Sequence, residues 1–254
     1  ENVAGAGGSL GAQRVAQARP DGYTILLHHI GMSTIPTLYR RLAYDPINGF
    51  ETVGLVTEVP MTLVARRNFP ANNLAELVQV VRRERERLNY ANAGIGAASH
   101  LCGLLFQKAL DTPFTTVPYR GTGPAMNDLV AGTVDLMCDQ TTNTTEQIRA
   151  GTIRGFAVTT PQRIAALPDM PTAAEAGLPG FEVSVWHGLY TPRNTPQPIV
   201  ARLNRALVHA LRDESIARRF AETVTMPGTL FLDDAQAFVA AEVAAWAPVV
   251  RASG

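Results

Sequence analysis

Three short stretches rich in Gly, Ser and Thr carry the chemistry this sequence offers. They are Gly94-Ile95-Gly96-Ala97-Ala98-Ser99-His100, Arg120-Gly121-Thr122-Gly123 and Asp139-Gln140-Thr141-Thr142-Asn143. Each stands where a predicted strand hands the chain to a helix. Backbone N–H groups at a helix start, together with the positive end of the helix dipole, bind anions without Arg or Lys. A carboxylate suits such loops. Phosphate would be held by the same physics, but the P-loop lysine is missing.

Competing chemistries have less support. Gly5-Ala6-Gly7-Gly8-Ser9-Leu10-Gly11 misses the dinucleotide pattern G-x-G-x-x-G by one position, because Leu10 stands where the third glycine is needed, so it reads as a helix-start loop. His28, His29, His100, His187 and His209 show no H-E-x-x-H spacing and the cysteines no C-x-x-C, so no metal and no cofactor are expected. Ser99 and His100 are adjacent, and neighbours on a helix start point apart, so they do not form a nucleophile and base pair. His100 reads first as a locally bonded helix-start residue, with ligand contact as its alternative. Cys102 falls in a first helical turn, where a thiolate is favoured. Cys102 and Cys138 are expected on one rim of one sheet, which leaves a mutual disulfide and two buried thiols both open.

The elements that must position these loops are legible from periodicity. Asn73 to Arg87 places Leu74, Leu77, Val78 and Val81 on one face, with Glu76 three residues after Asn73 as in a capping box. Strands are predicted at Leu88 to Ala93, Thr115 to Tyr119, Val134 to Cys138 and Gly155 to Thr160, alternating with helices. That alternation predicts a parallel, helix-covered sheet whose ligand lies beyond the carboxyl ends of the strands, so the three loops should converge on one rim. Outside this block, Ile25 to His29, Met61 to Ala65 and Val183 to Tyr190 read as strands, and the C-terminal part as mainly helical. Thr195-Pro196 should start a helix with Ile199, Leu203, Ala206 and Leu207 on one face, and a later helix carries Phe238, Val243 and Trp246. A chain that leaves one lobe, builds a second and returns is expected, with crossovers near residues 66–70 and 181–186. The lobes would be 1–68 with 184–254, and 69–183.

Composition bounds the function. Of 254 residues, 22 are basic and 22 acidic, only 17% are charged, and 46% are hydrophobic, which argues against a nucleic-acid surface and against disorder. No apolar run approaches the roughly 18 residues of a membrane span. Of the 22 basic residues 21 are Arg, which reads as genome bias rather than anion binding.

Six stretches resemble the Bug-type (TctC-like) periplasmic solute-binding receptors of tripartite tricarboxylate transporters: Asn2 to Gly11, Ala18 to Thr24, Tyr90 to His100, Val117 to Ala125, Leu167 to Gly180 and Trp186 to Pro192, in family order and spacing. The resemblance implies a type II periplasmic binding-protein fold, with two α/β lobes closing on a small carboxylate. It also implies delivery to a membrane permease, a periplasmic location and no enzymatic activity. A monomer is expected. The Gly94 to Ser99 loop is then the second-lobe carboxylate cradle, with Gly121, Thr122, Asp139, Gln140 and Thr141 selecting the far end of the ligand. A dicarboxylate of four to six carbons or an acidic amino acid is favoured. Family members carry a first strand and a phenylalanine/glycine-rich loop ahead of the segment that starts here at Glu1. His28 to Ser33, with His29 and Ser33 as contacts, therefore becomes the first-lobe candidate. Trp186 is read equally as a wall of the ligand cleft or as a lobe-core residue. The rival readings are a ligand-presenting sensor and a small α/β enzyme using Cys102 or His100.

Overall fold

The structure, a computed structural model, describes residues 1–39 and 41–252. Its elements in chain order are α1 (Ser9–Ala16), β1 (Leu26–His29), α2 (Gly31–Leu38), β2 (Phe50–Arg66), α3 (Leu74–Glu84), β3 (Asn89–Asn92), α4 (Ala98–Leu110) and β4 (Thr115–Pro118). They continue with α5 (Thr122–Ala131), β5 (Leu136–Gln140), α6 (Thr141–Arg149), β6 (Ile153–Val158), β7 (Ser184–Pro192), α7 (Gln197–Leu211), α8 (Glu214–Glu222), β8 (Met226–Pro227) and α9 (Leu232–Ala252). Two compact units result. One comprises Glu1–Glu58, Trp186–Ala221 and the chain from Met226 onward; the other comprises Val59–Val185 with Glu222–Thr225.

In the first unit β1 pairs antiparallel with β7, matching Leu26 to Tyr190 and His29 to His187, and the early part of β2 pairs antiparallel with β8. Helix α2 packs on α9. Helix α7 turns Val200 and Leu207 onto Val53, with Leu203, Leu211 and Phe231 around them. Its stripe is thus rotated from the face expected of it: Val200 is buried and Ala206 exposed, because Asn204 reaches back to the Val53 carbonyl (2.9 Å) and fixes the helix there. Thr195 does not cap α7 either. Its hydroxyl donates to the Pro192 carbonyl (2.7 Å), and Pro196 occupies the cap position.

The second unit holds the alternating block. Strand β3 lies between β4 and β5 and runs parallel to both. The late part of β2 then pairs antiparallel with β5 on one side and β6 on the other. The four strands expected to be parallel, β3, β4, β5 and β6, therefore do run in one direction, and of the five strands here β2 alone runs against them. Strand β2 is 17 residues long, enters from the first unit and inserts between β5 and β6, a pairing distant in sequence that local periodicity does not encode. Val64, Ala91, Met137 and Ile153 from the sheet meet Ala125, Met126 and Leu129 of α5 in one core. Met170 and Val158 meet Ile164 and Leu167 in another, where Val224 also packs. On the other face of β3, α4 approaches so closely that a Cβ on Gly103 would stand 2.5 Å from the Tyr90 ring. Only glycine fits there.

Helix α3 forms where its spacing predicts, and its N-terminus shows why. Asn73 Oδ1 accepts from Glu76 N (2.9 Å), while the Glu76 carboxylate accepts from Asn72 N (2.8 Å) and Asn73 Nδ2 (3.0 Å). The Asn73→Ala variant should lose about 1 kcal/mol, which at this chain length moves the melting midpoint by roughly 2–4 °C. Calorimetry checks this; an unmoved midpoint would contradict the capping assignment.

Candidate functional site

The three parallel strands β3, β4 and β5 end on one rim of the second unit, and local bonds join the segments that follow them. Tyr119 N donates to the Asn92 carbonyl (2.8 Å), tying the end of β4 to the end of β3. The Thr122 hydroxyl bonds the Asp139 carboxylate, tying the start of α5 to β5. Gly94 to His100, Gly121 with Thr122, and Asp139 to Thr141 are thereby brought together.

The first of these segments is shaped by its own side chains. After β3, Asn92 Oδ1 accepts from Gly94 N (2.9 Å), Ser99 Oγ accepts from Ala93 N (2.8 Å), and Ala97 N closes a turn on the Gly94 carbonyl (3.0 Å). Gly94 and Gly96 sit at φ 117° and 87°, a region that favours glycine. Helix α4 then begins at Ala98 with Ala97 at its cap, and no side chain caps it. The ladder opens with Leu101 N on the Ala97 carbonyl (3.1 Å), so the N–H groups of Ala98, Ser99 and His100 lie ahead of it. Helix geometry supplies them no i−4 acceptor. Such a turn presents donors and a positive dipole end to an anion, and the Ser99 hydroxyl, which accepts from Ala93 N, keeps its proton to donate.

The deeper wall differs from its sequence reading. Asp139 to Asn143 is not a loop: β5 runs two residues beyond Cys138 to Gln140, and α6 starts at once on Thr141. The extension follows from pairing with β2, whose Thr62 and Met61 stand opposite Asp139 and Gln140; at the other end the Asp135 carboxylate takes Arg66 Nε (2.9 Å) and Asn89 N (3.0 Å). Asp139 is consequently a strand residue, buried, with Gln140 N, the Thr122 hydroxyl and Asn143 Nδ2 (3.2 Å) on its carboxylate. Burial nevertheless dominates and pushes its pKa up to about 6. The Thr141 hydroxyl is buried with no hydrogen-bond partner among the described residues.

The remaining sequence candidates have engaged polar atoms. His100 Nδ1 faces Gly96 N (3.3 Å), and burial lowers the ring's pKa, so it stands as a neutral local acceptor. Cys102 and Cys138, both fully buried, are joined in a disulfide. In the first unit, His29 Nδ1 accepts from Gly31 N (2.9 Å), Ser33 Oγ donates to the Ile30 carbonyl (2.7 Å), and the buried Trp186 donates Nε1 to Glu242 (2.9 Å) while packing edge-on against Phe238. Trp186 thus sits among the core contacts of that unit.

Three participants escaped the sequence reading. Asn92 and Asn143 shape the loop and hold Asp139; Asn92-Ala93-Gly94 is an Asx-turn pattern that could have been read. Tyr90 OH donates to the Ser99 carbonyl (2.7 Å) and accepts from Cys138 N (3.1 Å), a role invisible in a residue that looks like strand core.

Comparison with known proteins places this geometry in a class. The chain matches the family described as tripartite tricarboxylate transporter family receptor, TctC, over residues 1–254. A curated relative, the UPF0065 protein in the TAR-I ttuE-ttuC' intergenic region of Agrobacterium vitis, is 53% identical over 89% of this chain, and the chain spans 66% of that relative's length, just under two thirds. Among solved structures, periplasmic binding protein BugD shares 47% identity with a TM-score of 0.93, covering 100% of this chain and 86% of its own. MatC from Rhodopseudomonas palustris, with bound malate, shares 40% identity and a TM-score of 0.89 over 97% and 85% of the two chains. Another R. palustris protein, with adipate, shares 34% and 0.94 over 98% and 84%. The α/β fold is that of periplasmic binding proteins, and the chain belongs to the TctC receptor family.

The buried titrating groups set opposite pH trends. Burial raises the Asp139 pKa above its ordinary value, so its contribution is greatest while it is protonated and is lost as pH rises towards about 6. Burial lowers His28, His29 and His100, so the stability they lend is present above about pH 6.5 and falls away on acidification. The Asp139→Asn variant should therefore gain stability with pH more steeply than the parent between about pH 4 and 6. Urea midpoints across that window test it; parallel curves would contradict the assignment.

Proposed function

We propose that this chain is an extracytoplasmic solute-binding receptor that captures a small carboxylate and delivers it to a tripartite tricarboxylate-type permease. A four- to six-carbon dicarboxylate or an acidic amino acid is its ligand class. The observation that carries this reading is the uncapped first turn of α4 behind the Gly94 to Ser99 loop. One ligand carboxylate lies against the N–H groups of Ala98, Ser99 and His100 and the Ser99 hydroxyl. Gly121, Thr122, Asp139, Gln140 and Thr141 select the distal polar end. Lobe closure works as a population shift, the acid favouring the state in which it makes most bonds. Malate on MatC and adipate on its R. palustris relative support the ligand class. A buried disulfide persists in an oxidising compartment, which supports export, and no helix among the described residues is long and apolar enough to cross a membrane.

Two observations weigh against the enzyme reading: the Cys102 sulfur is held in the disulfide, and His100 Nδ1 accepts from Gly96 N.

A thermal-shift series with malate, adipate, glutamate and the matching diamides tests the proposal. A ligand at 100 times its Kd adds about 2.7 kcal/mol, a shift of several degrees at this size. The acids should shift the midpoint without being consumed, and the amides should not. Equal shifts from an acid and its amide would remove the loop from the site; turnover of the acid would remove the receptor.

A further inference from the structure

The Cys102–Cys138 bond joins two places that the proposed carboxylate site depends on. Cys102 lies three residues past Ser99 on α4, and Cys138 immediately precedes Asp139 on β5; their Cα atoms are 6.0 Å apart and both side chains are fully buried. The same junction is crossed a second time by Tyr90 OH, which donates to the Ser99 carbonyl and accepts from Cys138 N. One covalent and one hydrogen-bonded tie therefore fix the first turn of α4 on β5. That turn has no side-chain cap, and Ser99 in it also anchors the preceding loop through Ala93 N. N–H donors bind an anion well only when they are already aimed.

We propose that the Cys102–Cys138 disulfide, with Tyr90, is a positioning element for ligand binding: it holds the α4 donors in register with the Asp139 end of β5, and opening it loosens the site without unfolding the unit. The inference rests on the carboxylate-receptor reading above. The fold has independent support at this point. Tyr90, Phe106 and Phe114 pack their rings at 5.1 and 6.1 Å, and two reduced thiols would remain as small buried hydrophobes.

The test is titration calorimetry of the full chain with malate and adipate, well below the melting midpoint of each form. It compares the oxidised parent, the parent reduced by a dithiol that closes to its own cyclic disulfide, the Cys102→Ala/Cys138→Ala double variant, and Tyr90→Phe with the disulfide intact. Binding about tenfold weaker in the reduced and double-variant forms is expected, the scale on which lost outer support weakens a held group. Circular dichroism should be unchanged, and Tyr90→Phe should weaken binding in the same direction. A merely structural crosslink would lower the midpoint and leave the affinity of the folded protein alone, and that result overturns the inference. If the cysteine forms unfold, Tyr90→Phe decides, and its unchanged affinity is equally fatal. An oxidised parent that binds neither these acids nor other carboxylates overturns the function reading itself, and this inference with it.

Discussion

Everything at the candidate site depends on one helix start that is left open. A first turn without a side-chain cap is ordinarily a cost, because its N–H groups lose water and gain no partner. Here the loop ahead of α4 spends its polar groups on itself. Asn92 serves Gly94, Ser99 serves Ala93, and the Gly94 carbonyl serves Ala97, while two left-handed glycines let the backbone fold over. None of these bonds takes the N–H group of Ala98, Ser99 or His100. The donors are organised before any ligand arrives, which is how backbone groups come to bind an anion with useful affinity.

In a chain with 21 arginines, the Gly94 to His100 loop contains none, and Arg120 stands at the head of the second loop. The arginines that the fold uses are engaged elsewhere: Arg66 with Asp135, and Arg154 with the Phe69 and Ala71 carbonyls. The buried charge nearest the rim is Asp139, and burial drives its pKa upward. A helix dipole on one side and a carboxyl whose pKa burial pushes up to about 6 on the other form an asymmetric pair. In the proposed receptor this pair suits an acid group at the α4 turn and a group able to hydrogen-bond at the far end.

Local features of the fold were legible in the sequence and non-local ones were not. Helix α3 could be read because the apolar spacing and the Asn73 to Glu76 pairing both belong to neighbours in sequence. The three segments could be placed on one rim because β3, β4 and β5 follow one another with helical crossovers. Strand β2 could not be seen in its true role, since its antiparallel pairing with both β5 and β6 is set by long-range contact. For the same reason Asp139 was taken for a loop residue. The candidate loop was legible in its backbone, through Gly94, Gly96 and Ser99. It was not legible in its support: Tyr90 acts through a single hydroxyl that reaches two backbone atoms across the sheet and helix. The two readings left open for Cys102 and Cys138 needed a Cα separation to decide between them.

The central claim is that backbone N–H groups of α4's first turn hold the ligand's carboxylate. The most direct measurement is a 15N–1H NMR titration of the protein with malate and adipate, following the amides of Ala98, Ser99 and His100. These three amides should move downfield and saturate with the same dissociation constant as the calorimetric binding. Saturable binding that leaves all three unmoved would contradict it.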